Sequence, residues 1–460
     1  MNALPAATGC VNIGEEGMYS IRTAEYCTRM KSLSLGFLGC GNIGGGVYRL
    51  LHEMEETLLQ RDQLSLRVAK ILVKNVDEAL AINASKGLDV PRTLLTEHAE
   101  DVTQDPSIDI VCEFMGGEQP AARFMEDALR HGKHVVTANK VALALNWSAL
   151  QRAAEENHVG LWFEASVGGV IPIIRVLNIN LESDRIDRIF GIINGTTNYI
   201  LTRMAQEGKD YNEVLADAQR LGLAEPNPAT DVEGMDAAYK LSILASLAFH
   251  GRVTYSNVYR EGITGIKAQD IAFGQEMGYT LKLLGIAKKQ GSTVETRVHP
   301  TFLPKDHPLA RVDGSLNAIF VHGMYCQDMM LQGRGAGDMP TASAICGDIV
   351  EAALCEKPHY PTFANTEMPS PDFAFTDNWI TRAYIRLSAV DAPGVLSRVS
   401  ECFAKEQVSI ASMLQKEDTK EGRVPLIFIT HPAHEQAIQR AIAHLDPSIC
   451  VLEQMIRVEE

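Results

Sequence analysis

Apolar residues recur along the chain in two patterns, short runs typical of strands and longer stretches spaced as on one face of a helix. In the first third of the chain the two patterns alternate. Strands are predicted at residues 32–38, 66–73, 108–114 and 134–137, and helices up to residue 60 and at 120–131. This alternation indicates the α/β class, with a parallel sheet covered by helices on both faces. We therefore expect a first domain over residues 31–160.

From residue 161 several strand-like runs follow one another, with helices between them. The predicted strands are 185–194, 259–266, 296–303, 316–322 and 325–331, and the predicted helices are 196–206, 211–220, 231–249 and 268–277. Strands in succession indicate a mixed or antiparallel sheet, so residues 161–335 are expected to form an α+β domain. A helix within residues 336–354 is expected to close the first domain.

The last quarter of the chain begins with four prolines in residues 355–379, which predict a linker because proline fixes φ and lacks an amide donor. Residues 380–460 then carry a compact pattern of their own. Its predicted order is strand 382–390, helix 395–405, strand 408–415, polar turn 417–423, strand 424–430, helix 433–445 and strand 450–458. The order β-α-β-β-α-β predicts a ferredoxin-like third domain.

Composition narrows the class of partner and the compartment. The 460 residues carry a net charge of −16, which argues against nucleic acid and anionic membranes as partners. No apolar stretch reaches the roughly 18 residues of a membrane span. The nine cysteines are scattered without a C-x-x-C pair, which favours free thiols in a reducing cytoplasm. Residues 1–30 lack clear periodicity, so we expect a loose extension.

A glycine motif lies between the first predicted strand and the first helix: Gly39, Gly41, Asn42, Ile43 and Gly44 stand where backbone amides face a cofactor pyrophosphate. The expected ligand is therefore a dinucleotide in a Rossmann-like domain. Lys74 follows the second strand more closely than Asp77 does. An ammonium there would favour a 2′-phosphate, so NADP is predicted over NAD, although Lys74 could equally be an ordinary surface lysine.

Candidate catalytic groups occur at two places. Lys140 follows a predicted parallel strand, at the edge of the sheet where ligands bind. Asp236 and Lys240 are four residues apart and share a face of a predicted helix that continues as an apolar run. Such a pair is most often a surface salt bridge, but a charged pair on a buried helix is costly unless it serves a function. A lysine beside a carboxylate could donate a proton to a forming alkoxide, and Glu225 and Asp231 could hold a substrate ammonium.

The stretch around this pair resembles the signature of homoserine dehydrogenases. The matching residues are Ala218, Gly222, Leu223, Ala224, Pro228, Asp231, Val232, Gly234, Asp236 and Lys240. Further stretches that resemble the family in order are residues 113–117, 137–140, 191–200 and 333–344. The resemblance covers about residues 32–354 and implies reversible oxidation of L-homoserine to L-aspartate 4-semialdehyde.

The resemblance also implies roles for individual residues. Lys240 would be the proton donor, Asp236 would position substrate and lysine, and Lys140 would lie between cofactor and substrate. The remaining implied contacts are Glu225, Asp231, Gly195 and Thr196 to substrate, and Gly116, Thr137, Gly222, Gly335 and Gly337 to cofactor. A monovalent cation, sodium in most members, would be held mostly by backbone carbonyls of Glu164, Val167, Gly169 and Ile171.

The C-terminal domain resembles amino-acid-sensing domains of the ACT type. Residues 391–396 match the ligand loop, in which Asp391 would meet an ammonium and Gly394 would allow close backbone approach, and Ser409 and Ile410 fit the same pattern. The resemblance implies threonine as a feedback effector, whereas the alternative is a dimerisation module without ligand. Symmetric assembly is the default for such enzymes, and a homodimer or homotetramer is expected.

Two other functions are weighed against this one. Another Rossmann oxidoreductase with a sensor tail, such as prephenate or phosphoglycerate dehydrogenase, would lack the pattern from Gly222 to Lys240. A catalytically inactive amino-acid sensor that regulates a partner would not need Lys140, Asp236 and Lys240 together.

Overall fold

The computed structural model describes residues 30–361, 363–415 and 422–459. Residues 1–29 of the expected extension and residues 417–421 of the predicted polar turn lie outside the described residues. No helix among the described residues is long and apolar enough to cross a membrane.

The first third of the chain forms a parallel sheet with the strand order β3-β2-β1-β4-β5-β6. Its strands are β1 Lys31–Leu38, β2 Leu64–Leu72, β3 Leu95–Thr96, β4 Ile110–Glu113, β5 His134–Thr137 and β6 Leu161–Trp162. Its helices are α1 Asn42–Asp62, α2 Val76–Ser85, α3 Glu100–Thr103, α4 Ala121–Arg130 and α5 Lys140–Glu156. The strand order reverses between β1 and β4, and the crevice at such a point is where doubly wound sheets bind ligands. The predicted α/β fold is confirmed.

A helix from much later in the chain completes the first domain. Helix α12, Asp338–Leu354, lies against α1, and a Cβ atom added to Gly46 would stand 3.1 Å from the Cβ of Ala342. Ile345 and Ile349 are fully buried in the same core as Phe37 of β1. Because α12 packs on α1, the loop before α12 lies beside the glycine turn.

The middle of the chain forms a mixed sheet with helices packed on it. Its strands are β7 Ile186–Ile192, β8 Tyr259–Arg260, β9 Tyr279–Gln290, β10 Thr293–Pro304, β11 Leu316–Gly323 and β12 Gln327–Arg334. Its helices are α6 Ile173–Arg175, α7 Gly195–Glu207, α8 Tyr211–Arg220, α9 Ala229–Val232, α10 Met235–Ala248 and α11 Ala268–Glu276. Strand β9 was not predicted. It is buried almost continuously and includes the fully buried Lys282, so it lacks the alternation that reveals a strand.

Two predicted elements are shorter than expected, and a glycine lies at or near each point of interruption. The predicted helix 231–249 is divided into α9 and α10, because Gly234 adopts a φ of 77° between them. The predicted strand 259–266 ends after Arg260. There Gly262 comes so close to α9 that an added Cβ atom would stand 2.3 Å from the carbonyl oxygen of Val232.

The C-terminal residues form the predicted ferredoxin-like domain. Its elements are β14 Ile380–Val390, α13 Val395–Lys405, β15 Ile410–Gln415, β16 Arg423–Thr430, β17 Ala433–His434, α14 Glu435–Ala443 and β18 Cys450–Val458. The antiparallel order β18-β14-β16-β15 is that of the split βαβ unit. Its last strand also pairs with β10, so the sheet of the middle domain continues into the terminal domain.

The predicted linker is packed rather than free. It contains a short strand, β13 Ala374–Phe375, which pairs with β10. Tyr360 donates a hydrogen bond to the carbonyl oxygen of Val159 (3.0 Å), and Phe363 is buried among apolar residues. Aromatic side chains between the prolines therefore anchor this segment to the body of the protein.

Candidate active site

A cavity of about 540 Å³ opens where the carboxyl ends of the parallel strands meet the middle domain. Its walls come from both domains and from the loop before α12. The residues that line it are Ile43, Ala138, Lys140, Ala165, Ser166, Asn194, Gly195, Thr196, Gly222, Leu223, Ala224, Glu225, Asp231, Asp236, Lys240, Ser315, Arg334, Gly335, Ala336, Gly337, Asp338 and Thr341. All the residues predicted for catalysis and substrate binding are among them.

Asp236 is the centre of the charged groups. It lies in the first turn of α10, where the partial positive charge of a helix N-terminus favours a carboxylate. Its oxygens contact the Nζ of Lys240 (2.7 Å) and the Nζ of Lys140 (3.1 Å), so the structure joins the two predicted lysines on one carboxylate. Burial acts to raise the pKa of Asp236, but Lys240 and Lys140 outweigh it and hold this pKa well below its usual range. The carboxylate is therefore ionised.

The two lysines differ in setting. Lys240 is buried, and its Nζ also donates to the carbonyl oxygen of Ile193 (2.8 Å). Lys140 begins α5 and its side chain is more exposed. The charge of Asp236 raises the pKa of Lys140 above its usual value against the opposing effect of burial. Lys140 is therefore a fixed positive charge at the mouth of the same site.

Asn194 connects the groups that were predicted separately. Its Nδ2 donates to Asp231 (2.7 Å) and to Asp236 (2.9 Å), while its Oδ1 accepts from the amide of Thr197 and caps α7. Burial raises the pKa of Asp231, although the hydrogen bond from Asn194 opposes this effect. Asn194 was not predicted as a site residue. An Asn before a helix is the usual sign of a cap, and that role alone explains its position.

The substrate side of the cavity is completed by close backbone contacts. Thr196 donates through its hydroxyl to the carbonyl oxygen of Leu223 (2.8 Å), which joins α7 to the segment that carries Glu225. Gly195 has room for no side chain, because an added Cβ atom would stand 2.8 Å from the carbonyl oxygen of Ser315. Ser315 and Arg334 line the cavity and were also not predicted.

The glycine turn stands at the switch point of the parallel sheet. Gly39 has a φ of 100°, and this backbone conformation turns the chain toward α1. The amide of Gly39 donates to the carbonyl oxygen of Leu72 (3.0 Å). A Cβ atom added to Gly41 or Gly116 would meet no described atom within 4 Å. This open space beside a helix N-terminus can admit a cofactor phosphate.

Not every residue predicted for the cofactor lines the cavity. Of the glycine turn only Ile43 does so among the described residues, and Lys74, which follows β2, is not among the lining residues. The hydroxyl of Thr137 is fully buried and donates to Glu113 (2.7 Å), whose other oxygen accepts from the amides of Met115 and Gly116. Thr137 therefore holds the turn after β4 in place, and its side chain is not presented to a ligand.

The stretch predicted to bind a cation crosses between the two domains. The carboxylate of Glu164 accepts the amides of Ile174 (2.8 Å) and Arg175 (2.8 Å), so its oxygens are engaged within the protein. Gly169 approaches the loop before α12 so closely that an added Cβ atom would stand 2.7 Å from the carbonyl oxygen of Arg334. Among the described residues no cluster of three or more His, Cys, Asp or Glu side chains could hold a metal.

A second cavity, of about 410 Å³, lies in the terminal domain. It is formed by the loop between β14 and α13, with Asp391 and Gly394, and by residues of the neighbouring strands such as Gln415. Ser409 and Ile410, predicted with them, are not among its described lining residues.

Comparison with known proteins identifies the family. The family model for homoserine dehydrogenase matches residues 172–350, and the model for its NAD-binding domain matches residues 39–164. A homoserine dehydrogenase from Mycobacterium bovis is 41% identical over 445 residues, with 93% of this chain and 98% of that protein covered. This chain belongs to the homoserine dehydrogenase family. It is an oxidoreductase that interconverts L-homoserine and L-aspartate 4-semialdehyde with NAD(P), as predicted.

Similarities to other proteins support the same family. A homoserine dehydrogenase from Bacillus subtilis is 37% identical over 91% of this chain and 95% of its own. The crystal structure of one from Thiobacillus denitrificans superposes with a TM-score of 0.85 at 37% identity, covering 94% of this chain and 99% of that one. A hyperthermophilic archaeal homoserine dehydrogenase, solved in complex with NADPH, has a TM-score of 0.60 at 26% identity, covering 70% and 98%. The ACT family model matches residues 383–446, which confirms the predicted ACT-type domain.

Proposed function

We propose that L-homoserine binds with its ammonium toward Glu225 and Asp231 and with its C4 hydroxyl beside Lys240. The observation that carries the proposal is the buried Asp236–Lys240 pair, which faces the cavity from the start of α10. Two carboxylates that line the cavity suit an ammonium, and the lysine suits an oxygen that changes its charge.

Proton transfer at the C4 oxygen is assigned to Lys240. In the reductive direction its ammonium donates a proton to the aldehyde oxygen as that oxygen becomes a hydroxyl. In the oxidative direction the neutral amine removes the same proton. A bound nicotinamide cofactor supplies or accepts the hydride. Asp236 fixes the direction of Lys240, and Lys140, which stays charged, is assigned to positioning between cofactor and substrate.

The test is a spectrophotometric assay of L-homoserine oxidation with NADP and with NAD, in sodium, in potassium and in a medium without either ion. Turnover that depends on Lys240 supports the assignment. An inactive chain that binds threonine would instead support the alternative of an amino-acid sensor without catalysis.

NADP is proposed as the preferred cofactor, with NAD as the weaker one. Lys74 follows β2, and Lys86 at the end of α2 brings its Nζ to 2.6 Å from the side chain of Asn42. The ammonium of Lys86 beside the glycine turn, together with that of Lys74 after the neighbouring strand, favours an added phosphate. The complex of the archaeal relative with NADPH is consistent with this preference.

Sodium is proposed as the cation, with the backbone carbonyls of Glu164, Val167, Gly169 and Ile171 as ligands. Because the carboxylate of Glu164 accepts two amides, carbonyl oxygens are the donors that this stretch offers. Loss of rate in a medium without alkali ions, recovered best by sodium, would support the assignment.

Threonine is proposed as the feedback effector, bound near Asp391 and Gly394 in the second cavity. We also propose a homodimer or homotetramer in the cytoplasm, consistent with the free thiols of all seven cysteines within the described residues. Threonine that changes neither the initial rate nor the thermal stability would contradict the effector assignment, and a monomeric mass in light scattering would contradict the assembly.

A further inference from the structure

Residues 259–276, here called the bridging segment, lie between the active site and the terminal domain. On the active-site side the amide of Ile263 donates to the carbonyl oxygen of Val232 (2.8 Å). Gly262 touches the same carbonyl so closely that a side chain there would not fit. Since Val232 follows Asp231 directly, the bridging segment sets the position of a carboxylate that lines the cavity.

On the other side the terminal domain contacts the bridging segment through Arg457. This residue lies in β18 and is 4% exposed. Its guanidinium forms an ion pair with Glu261 and donates to the hydroxyl of Tyr259 (3.3 Å). It also bonds the carboxylate of Glu435 (2.7 Å) within the terminal domain. Arg457 thus joins the first turn of α14 to the residue beside Gly262.

A second contact joins the terminal domain to the bridging segment through Asp270 in α11. The carboxylate of Asp270 is fully buried and accepts from Arg386 (2.6 and 3.1 Å) and from the hydroxyl of Tyr384 (2.9 Å), both in β14. The same helix reaches α7, because Gln275 donates to the carbonyl oxygen of Ala205 (3.3 Å). The strand that carries Arg386 and Tyr384 leads directly into the loop of the second cavity.

The ion pair of Asp270 with Arg386 is buried on both sides, and that of Arg457 with Glu261 is buried on the arginine side, so separating either pair would leave a buried charge without its counter-charge. A shift of β14 or β18 therefore moves Glu261 and Asp270 with it. Glu261 is linked to Val232 through the next two residues, since Gly262 packs against the carbonyl oxygen of Val232 and the amide of Ile263 donates to it. This series of contacts ends at Val232, directly beside Asp231 of the cavity.

We propose that the bridging segment couples the terminal domain to the substrate half of the active site, and that Glu261 is a positioning residue for the turn that carries Asp231. The regulatory part of this proposal rests on the proposed threonine effector. The positioning part concerns the enzyme without effector, so each part has its own measurement.

The test uses the full-length enzyme with Glu261→Gln, Arg457→Met and the double variant. Gln keeps the shape of Glu261, which is partly exposed, so folding should be retained. Arg440→Gln is the matched control, because Arg440 pairs with Glu406 (2.7 Å) inside the terminal domain and leaves the bridging segment untouched. Arg457→Lys, which keeps the charge, is the conservative variant if Arg457→Met does not fold.

Without effector, Glu261→Gln should raise the KM for homoserine about tenfold, a coupling of ordinary size between distant groups, while kcat changes less. The KM for the cofactor should stay the same, since the glycine turn belongs to the other sheet. The double variant should be no worse than the worse single variant, because both single variants remove the ion pair between Arg457 and Glu261. A homoserine KM equal to that of wild type and of Arg440→Gln, or effects that add, would overturn the positioning role.

Threonine titrations measure the regulatory part. Calorimetry should show that Glu261→Gln still binds threonine, while its inhibition is weakened about tenfold relative to wild type. Unchanged inhibition in this variant would overturn the coupling. A wild-type enzyme that does not bind threonine would instead refute the proposed effector, and the KM comparison would still decide the role of Glu261.

Discussion

Replacing Lys240 with Met tests the assignment of the proton donor most directly. Lys240 is 8% exposed and bonds both Asp236 and the carbonyl oxygen of Ile193. The variant keeps the length and apolar stem of the side chain and removes its ammonium. General acid–base groups contribute about 10²–10⁴-fold to rate, which is about 3–5 kcal/mol of barrier. We expect kcat to fall within this range.

Folding should survive this change. Removing one partner of a buried ion pair costs about 3–5 kcal/mol when the other charge is left alone. Here Asp236 keeps Lys140 (3.1 Å) and Asn194 (2.9 Å), so the cost should be that of lost hydrogen bonds, about 1–3 kcal/mol. Thermal unfolding measured beside the rate separates the two effects.

The assay follows homoserine oxidation at the nicotinamide absorbance band, with two comparison variants. Lys240→Arg keeps a positive charge but holds its proton too tightly to exchange it, so it should fold like wild type and remain slow. Lys405→Met removes a lysine from an exposed pair with Glu401 at the same spacing of four residues, and it should retain full activity. Turnover of Lys240→Met within about tenfold of wild type would refute the assignment, since proton transfer contributes more than that.

Three further outcomes are expected. The KM for homoserine should rise as pH falls through the pKa of Asp231, which is raised above the ordinary value of about 3.9, because the ammonium site needs the ionised carboxylate. The variant Asp231→Asn should weaken homoserine binding and abolish this rise of KM in acid. A pH profile of KM identical to that of wild type in this variant would contradict the role of Asp231. Lys74→Glu should lower kcat/KM with NADP about tenfold or more and leave kcat/KM with NAD nearly unchanged, as expected for loss of a charge-assisted bond to phosphate. An equal loss of kcat/KM with both cofactors would contradict the proposed preference for NADP. Gly195→Ala should destabilise the protein by about 1–3 kcal/mol and weaken homoserine binding, because its Cβ atom would stand 2.8 Å from the carbonyl oxygen of Ser315. Gly347→Ala, where the space is open, is its control for melting temperature, and equal melting temperatures in the two variants would refute the steric argument.

The sequence by itself determined what depends on local spacing. Alternating strands and helices predicted the parallel sheet, and the interval of four between Asp236 and Lys240 placed both on one helix face. The glycine turn between β1 and α1 was readable because only glycine allows the φ of 100° found at Gly39. Residue types at short, fixed intervals carry this information, and the family resemblance extended it to the reaction.

Tertiary structure alone decided what depends on distant contacts. Strand β9 shows no alternation, because burial on both faces removes the polar positions that mark a strand in sequence. Lys140 and Lys240 meet on Asp236 although they come from different domains. The pairing of Thr301 in β10 with Arg457 in β18 joins residues 156 positions apart, and the ion pair of Arg457 with Glu261 joins residues 196 positions apart. No periodicity encodes such pairs, since burial and charge compensation select them only when the chain is folded.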